Sequence, residues 1–216
     1  MSTGTCKGFL LGALLMGLAA CEDIAALDLG GATTGENLAL RNATLGDGTI
    51  KLVPPPGFCV DKRSLRKSFA IMARCDTLGG NLNTDAPLAV ITATTLAVTG
   101  PAQVSTSDVA GASETVLQQD DDGPLALVQV KGAPPSPDMR DTYWRGAARV
   151  GNHVVGLAIY EATSGQDLGA TAPNLLIQTY ERTQEQSVVA LVALQDNSAT
   201  GGPKQTNGGL LSGLFE

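Results

Sequence analysis

Tyr143-Trp144-Arg145-Gly146-Ala147-Ala148-Arg149-Val150, then Gly151-Asn152, then His153-Val154-Val155-Gly156-Leu157-Ala158-Ile159-Tyr160-Glu161: two apolar-rich runs meet across a two-residue Gly-Asn link. A link this short can only fold one strand back on the other, and Gly-Asn tolerates the positive φ values that the tight turn demands. The stretch therefore predicts an antiparallel hairpin, with His153, the only histidine, as an exposed residue beside its turn. Upstream, Leu38 to Leu45 and Thr49 to Val53 flank Gly46-Asp47-Gly48, a second hairpin pattern. Pro54-Pro55-Pro56-Gly57 ends that strand, because proline has no N–H to give to a ladder.

Between the two hairpins, Pro87 to Val98 is Thr-rich and β-branched and reads as a strand. Leu125 to Lys131 reads as another, entered through an Asp120-Asp121-Asp122-Gly123 turn and left by a proline-rich loop at Ala133 to Asp138. Ser107-Asp108 predicts a helix running towards Gln119, weakened by Gly111. Pro173 opens a stronger helix, with Leu175, Leu176 and Tyr180 on one face and Glu181, Arg182 and Glu185 elsewhere. Val188 to Val192 either continues it or forms a strand. From Asp196 to Glu216 the composition turns to Gly, Ser, Thr and Asn, which predicts a disordered tail at 196–216. No internal repeat is visible.

Strands in hairpins with helices between and after them predict an α+β domain over residues 37–195, an antiparallel sheet with helices packed on it. The order of elements resembles the small PsbP-like α/β/α sandwich. That resemblance rests on order alone, carries no motif and implies no functional residue.

The N-terminus reads as a processing signal. Lys7 precedes Gly8 to Leu18, an apolar run of 11 residues. As a helix it would reach roughly 16 Å, about half the hydrocarbon core of a bilayer, so it suits export and not a stable span. Leu18-Ala19-Ala20-Cys21 resembles the lipobox of bacterial lipoproteins. The resemblance implies removal of residues 1–20 and diacylglycerol on the Cys21 sulfur. Glu22 stands where Asp commonly marks inner-membrane retention in that family, which implies the outer membrane of a Gram-negative cell. Residues 21–36, rich in Gly, Thr and acids, read as a tether with a reach of roughly 20 Å.

Cys6 falls within the removed segment and Cys21 carries lipid, so Cys59 and Cys75 remain as a pair in an oxidising compartment. A disulfide between them is expected. One continuous helix would hold their Cα atoms about 24 Å apart, whereas a disulfide needs less than about 7 Å, so the chain must double back. Asp61 is expected to cap a short helix through Lys67, with Phe69 to Arg74 returning as a strand. Inside this loop Lys62, Arg63, Arg66 and Lys67 place four basic residues within six positions. They read as a solvated helix face or as a docking patch for anionic headgroups, an acidic glycan or an acidic partner.

Hydrophobic residues make up 43% of the 216 and aromatic residues 4%, so the core must come from Ala, Val, Leu and Ile. The formal charge is −7; without residues 1–20, which hold only Lys7, it is −8. An acidic surface repels phosphate backbones, which disfavours nonspecific nucleic-acid binding.

Catalytic patterns are thin. Ser64-Leu65-Arg66-Lys67 matches S-x-x-K, where a lysine one helical turn away activates a serine, but S-D-N and K-T-G are absent. Asp120 and Asp122 before Gly123 lack the end carboxylates of a calcium loop, since Gln118 and Gln129 would occupy those positions. A lone His153 cannot make a multi-histidine metal site. Gly165 to Gly169 lacks a phosphate-binding pattern. The terminal Leu210-Leu211-Ser212-Gly213-Leu214-Phe215 cluster reads as unstructured, or as a segment that docks in a groove.

The sequence thus predicts a lipid-anchored cell-envelope lipoprotein facing the periplasm and acting as a non-catalytic binding or assembly module. It predicts no cofactor, metal or nucleic acid; the partners are the membrane through its lipid and an envelope protein or acidic glycan. The alternative is a periplasmic carboxylate-based hydrolase using scattered groups such as Asp61, Asp141 or Glu161.

Overall fold

The Gly151-Asn152 link does turn the chain back: in the computed structural model β9 (Thr142–Val150) and β10 (His153–Glu161) pair antiparallel from His153↔Val150 to Ile159↔Trp144. The structure describes residues 37–80, 85–100, 103–110 and 115–200, with side chains described as far as Val188. The other strands are β1 (Ala39–Leu40), β2 (Ala43–Leu45), β3 (Ile50–Leu52), β4 (Phe58–Asp61), β5 (Phe69–Arg74), β6 (Ala89–Ala97), β7 (Thr115–Asp120) and β8 (Ala126–Lys131). Two helices complete the set, α1 (Thr106–Val109) and α2 (Thr171–Thr200).

Eight strands form one antiparallel sheet in the order β1-β4-β5-β6-β10-β9-β8-β7, and β2-β3 form a separate hairpin. The fold is α+β, as the patterning predicts. Alternation along β8 divides the sheet's two faces. Leu125, just before β8, and Leu127 join Trp144, Leu157, Ile159, Leu175 and Leu176 in the main core. Ala126, Val128 and Val130 join Tyr143 and Val109 of α1 in a second, smaller core.

The proline-opened helix covers the main-core face and also the hairpin. Its stripe at 179, 183 and 187 is Thr, Thr and Ser, all fully buried. These hydroxyls serve backbone: Thr183 Oγ1 accepts from Val53 N at 3.0 Å and Ser187 Oγ accepts from Lys51 N at 2.9 Å. Arg182 Nε donates to Pro54 O at 3.1 Å. The outer edge of β3 thus finds on a helix the acceptors that a neighbouring strand would give. Thr183→Val keeps the shape but removes the acceptor, so the Val53 N–H stays buried and unpaired. We expect a loss of about 1–3 kcal/mol in denaturant unfolding, with the slope unchanged.

Several expectations are corrected. The helix expected from Ser107 to Gln119 is a single turn. Ser105 caps it in a reciprocal box with Asp108, and it ends at Val109. Thr115 to Asp120 instead completes the free edge of β8, a long-range pairing that outweighs local helix preference. The helix expected from Asp61 to Lys67 shortens to a 3-10 turn over Lys62–Ser64, although Asp61 does cap it. Leu38 to Leu45 is not one strand: Ala39 and Leu40 pair with β4, and only Ala43 to Leu45 pair with β3. Val188 to Val192 continue α2, which passes Asp196 and is described as far as Thr200. Residues 201–216, with the apolar cluster at 210–215, lie outside the described residues, as do the export signal, Cys21 and the tether.

His153 is not exposed. It is 5% accessible, because the turn of the β2-β3 hairpin folds over it. Its Nδ1 lies 2.9 Å from Asn152 Oδ1 and 3.2 Å from Thr49 Oγ1. Gly46, at φ +58°, approaches so closely that a Cβ there would sit 3.0 Å from the imidazole. The turn that follows holds Asp47 and Gly48 at positive φ as well.

Candidate functional site

The disulfide expected between Cys59 and Cys75 is present, with Cα atoms 4.9 Å apart and both residues buried. Cys59 lies on β4, which pairs with β5 from Phe58↔Arg74 to Val60↔Met72. Cys75 follows β5 and donates its backbone N–H to Gly57 O. The open end of the β4-β5 hairpin is thus closed covalently.

At the other end of the hairpin, Asp61 organises the connecting loop. Its Oδ1 accepts from Arg63 N at 2.9 Å and Arg63 Nε at 3.2 Å, and its Oδ2 accepts from Arg63 Nη2 at 3.1 Å. The carboxylate is buried while the Arg63 side chain is 61% exposed. Ser64 Oγ donates to Asp61 O at 2.7 Å and accepts from Ile71 N at 2.8 Å. Arg66 Nη1 donates to Arg63 O and Leu65 O at 2.8 and 3.0 Å. Lys67 Nζ lies 2.7 Å from Asp47 Oδ1, and its carbonyl accepts from Gly46 N. Leu65 packs against the main core. The four basic residues of the sequence reading therefore sit on one internally bonded loop, with Arg63, Arg66 and Lys67 held at the surface by named partners.

The same geometry takes the S-x-x-K match apart. The 3-10 turn ends at Ser64, so Lys67 is not one helical turn further on. The Ser64 hydroxyl is engaged twice in loop closure, and Lys67 pairs with Asp47 on the hairpin. No residue of the match is arranged to activate another.

The three carboxylates of the hydrolase alternative are not gathered. Asp61 closes β4 and Glu161 closes β10, three strands away. Strand register sets Asp61 level with Ala158, three residues short of Glu161, so the two carboxylates are kept apart chiefly by about 14 Å across the sheet. Asp141 shares the Glu161 end and pairs with Lys131 at 3.3 Å. Glu161 is buried, and its Oε2 accepts from Leu168 N at 3.1 Å and lies 3.7 Å from Arg140 Nε. Arg140 also donates from Nη2 to Gly165 O at 3.2 Å.

A shallow, open recess beside this pair is lined by Met139, Arg140, Asp141, Thr142 and Thr163. Arg140 was not legible as a site residue. The only hint is the alternating charge of Asp138-Met139-Arg140-Asp141 after the proline-rich loop. Here Glu161 ties the loop that enters α2 to β10, which is a structural duty.

Shifted groups lie outside both places. The Arg74 guanidinium holds the Asp76 carboxyl below its ordinary range, through direct hydrogen bonds. Burial pushes the Tyr180 phenol up; its hydroxyl faces Arg149 O. In the acidic turn, Asp121 accepts from the Thr106 N–H and hydroxyl while Asp120 accepts from Asp122 N. These carboxylates turn towards α1 and their own backbone and do not point at one centre.

No protein-family model matches this chain, and no curated protein matches it. Among solved structures, the chain is similar to the Ran-binding protein Mog1p of Saccharomyces cerevisiae, with 16% identity, a TM-score of 0.40, and coverage of 67% of this chain and 93% of that one. It is also similar to a mutant of the protein Mog1, with 16% identity, a TM-score of 0.36, and coverage of 69% and 92%.

Proposed function

We propose that this chain is a lipid-anchored cell-envelope lipoprotein whose stapled α+β domain is a binding or assembly module, not an enzyme. The observation that carries the binding half is the basic loop. Four cations within six positions sit on a loop shaped by a buried carboxylate and a hairpin contact, which is the preorganisation that favours recognition of an anionic surface. The carboxylates available for hydrolysis are spent on other work: Asp61 shapes that loop, Asp141 pairs with Lys131, and Glu161 holds the Arg140 loop.

The anchor half comes from Leu18-Ala19-Ala20-Cys21 behind the short apolar run. Each buried methylene of an acyl chain contributes about 0.8 kcal/mol, so several chains hold a protein on the bilayer almost permanently. No helix among the described residues is long and apolar enough to cross a membrane. In this reading the domain faces the periplasm, from the outer membrane in preference to the inner, and meets an envelope component of negative charge.

Cys21→Ala tests the anchor. The natural protein should incorporate labelled palmitate and fractionate with membranes, and the variant should do neither. A natural protein that is unlabelled and wholly released by cell lysis would remove this reading.

A further inference from the structure

We infer that the apolar cluster Leu210-Leu211-Ser212-Gly213-Leu214-Phe215 docks on the half of the sheet's second face that α1 leaves open, so that the chain covers its own exposed patch. Alternation along the strands divides the sheet. Ala70, Ile91, Ala93, Val155 and Leu157 belong to the main core, so Phe69, Ile71, Thr94, Leu96, Val154 and Gly156 face the other side. There α1 covers only the β8-β9 half, through Val109 against Val128, Val130 and Tyr143. The chain leading into α1 passes β9, where Arg149 donates from Nη1 to Gly100 O.

Register gathers the residues left over. Phe69 stands opposite Thr94, Thr94 opposite Gly156, and Leu96 opposite Val154. Phe69 and Leu96 are therefore diagonal neighbours, within reach of each other, and the small Thr94 and Gly156 beside them leave a shallow floor. Leu96 is 67% exposed, and Phe69, Ile71 and Val154 are partly exposed. None of these four apolar residues belongs to the hydrophobic clusters of the described residues. A contiguous apolar patch of this kind marks an interaction site.

Chain length and direction select the occupant. α2 starts beside Glu161, since Leu168 N donates to the Glu161 carboxylate and Leu168 O accepts from Thr171 N. Further along, Tyr180 reaches Arg149 O and Ser187 reaches Lys51 N, so the helix runs toward the Gly151-Asn152 turn. From Ser187 to Thr200 it continues for about 20 Å. Leu96 and Val154 stand one position inside that same end of the sheet, next to the Ala97↔His153 pair. The nine residues 201–209, four of them glycine, span at most about 30 Å. That is enough to round the end of the sheet and one helix diameter of about 10–12 Å. They lead to four large apolar side chains, Leu210, Leu211, Leu214 and Phe215. A link this short holds the segment near the patch at an effective concentration on the order of millimolar, well above that of a second copy in dilute solution.

Photo-crosslinking of the full chain tests this. Leu214 is replaced by photoreactive p-benzoylphenylalanine, ordinary and heavy-isotope-labelled protein are mixed, and crosslinked peptides are mapped by mass spectrometry. Crosslinks should land on Phe69, Ile71, Leu96 or Val154 and join peptides of one isotope only. Leu96→Glu places a charge where a leucine would be covered, and should lower their yield about tenfold. Its melting temperature reports whether it folds, and the crosslink map of the unaltered patch stands without it. Leu117→Glu, at an equally accessible leucine on the β7 edge, should leave the yield as it is.

Peptides joining light and heavy chains would assign the patch to a second copy and overturn the inference. Crosslinks that fall on lipid or elsewhere on the domain, or that fail to form, overturn it as well, as does a yield that a folded Leu96→Glu leaves unchanged. Each of these outcomes leaves the lipid anchor standing, because Cys21→Ala tests that separately.

Discussion

Replacing both Cys59 and Cys75 by alanine should lower the stability of the domain by about 3 kcal/mol, the loop-closure entropy of a link spanning 16 positions. For a domain of this size that is a fall in melting temperature of about 6–12 °C. Both sulfurs lie inside a small buried cluster with Ala73 and Leu78, so alanine also removes packing there. The ladder between β4 and β5 should survive, because its register does not depend on the sulfurs. The bridge spans the open end of the β4-β5 hairpin, whereas the connecting loop is held by Asp61 and by the Lys67–Asp47 pair, so the loop should keep its shape in the variant below its melting temperature. Differential scanning calorimetry with and without reductant checks the stability. Alkylation checks the bond itself, since free thiols in the unreduced protein would reject it. Equal melting temperatures for natural protein and variant would show that the link contributes nothing.

Leu176→Ala should cost about 2–5 kcal/mol, comparable to or greater than the loss of the disulfide. Leu176 is fully buried on α2, in the same cluster as Leu52 of the hairpin, Trp144 of β9 and Leu157 of β10. It therefore lies where helix, hairpin and sheet meet. Truncation removes the transfer free energy of three carbons and leaves a cavity that a sheet on one side and a helix on the other cannot easily close. Leu176→Met, which conserves volume, should cost less than about 1.5 kcal/mol. Denaturant unfolding of the pair separates cavity formation from mere change of side chain: equal losses in the two variants would mean that the site is not tightly packed.

Much of the fold can be read before any coordinates. The β9-β10 hairpin, the long β6 strand, β8, the opening of α2 near Pro173 and the doubling back between the cysteines follow from turn chemistry and from the period of apolar residues, both local properties. The basic loop was equally legible as composition. Its shape was not, because the Asp61 cap supports only one 3-10 turn before the chain must reach β5 and pair with it.

The misreadings share a cause. β7 is exposed along most of its length, so it carries no period of its own and takes its structure from the free edge of β8. His153 is buried by a hairpin turn more than a hundred positions away, and no window of sequence contains both. The Thr179, Thr183 and Ser187 stripe, on which the sequence reading is silent, is buried because the edge of β3 brings N–H groups that need acceptors.

By itself the sequence determined what each segment wants locally: turns where glycine and asparagine permit positive φ, strands where β-branched residues accumulate, and a helix after proline. Tertiary structure alone decided which edges meet, which polar groups are buried, and that Leu38 hydrogen-bonds both Lys62 and Leu78. The physical reason is range. Backbone sterics and side-chain period act over a few residues, whereas strand register and buried hydrogen bonds exist only once distant segments are held against each other.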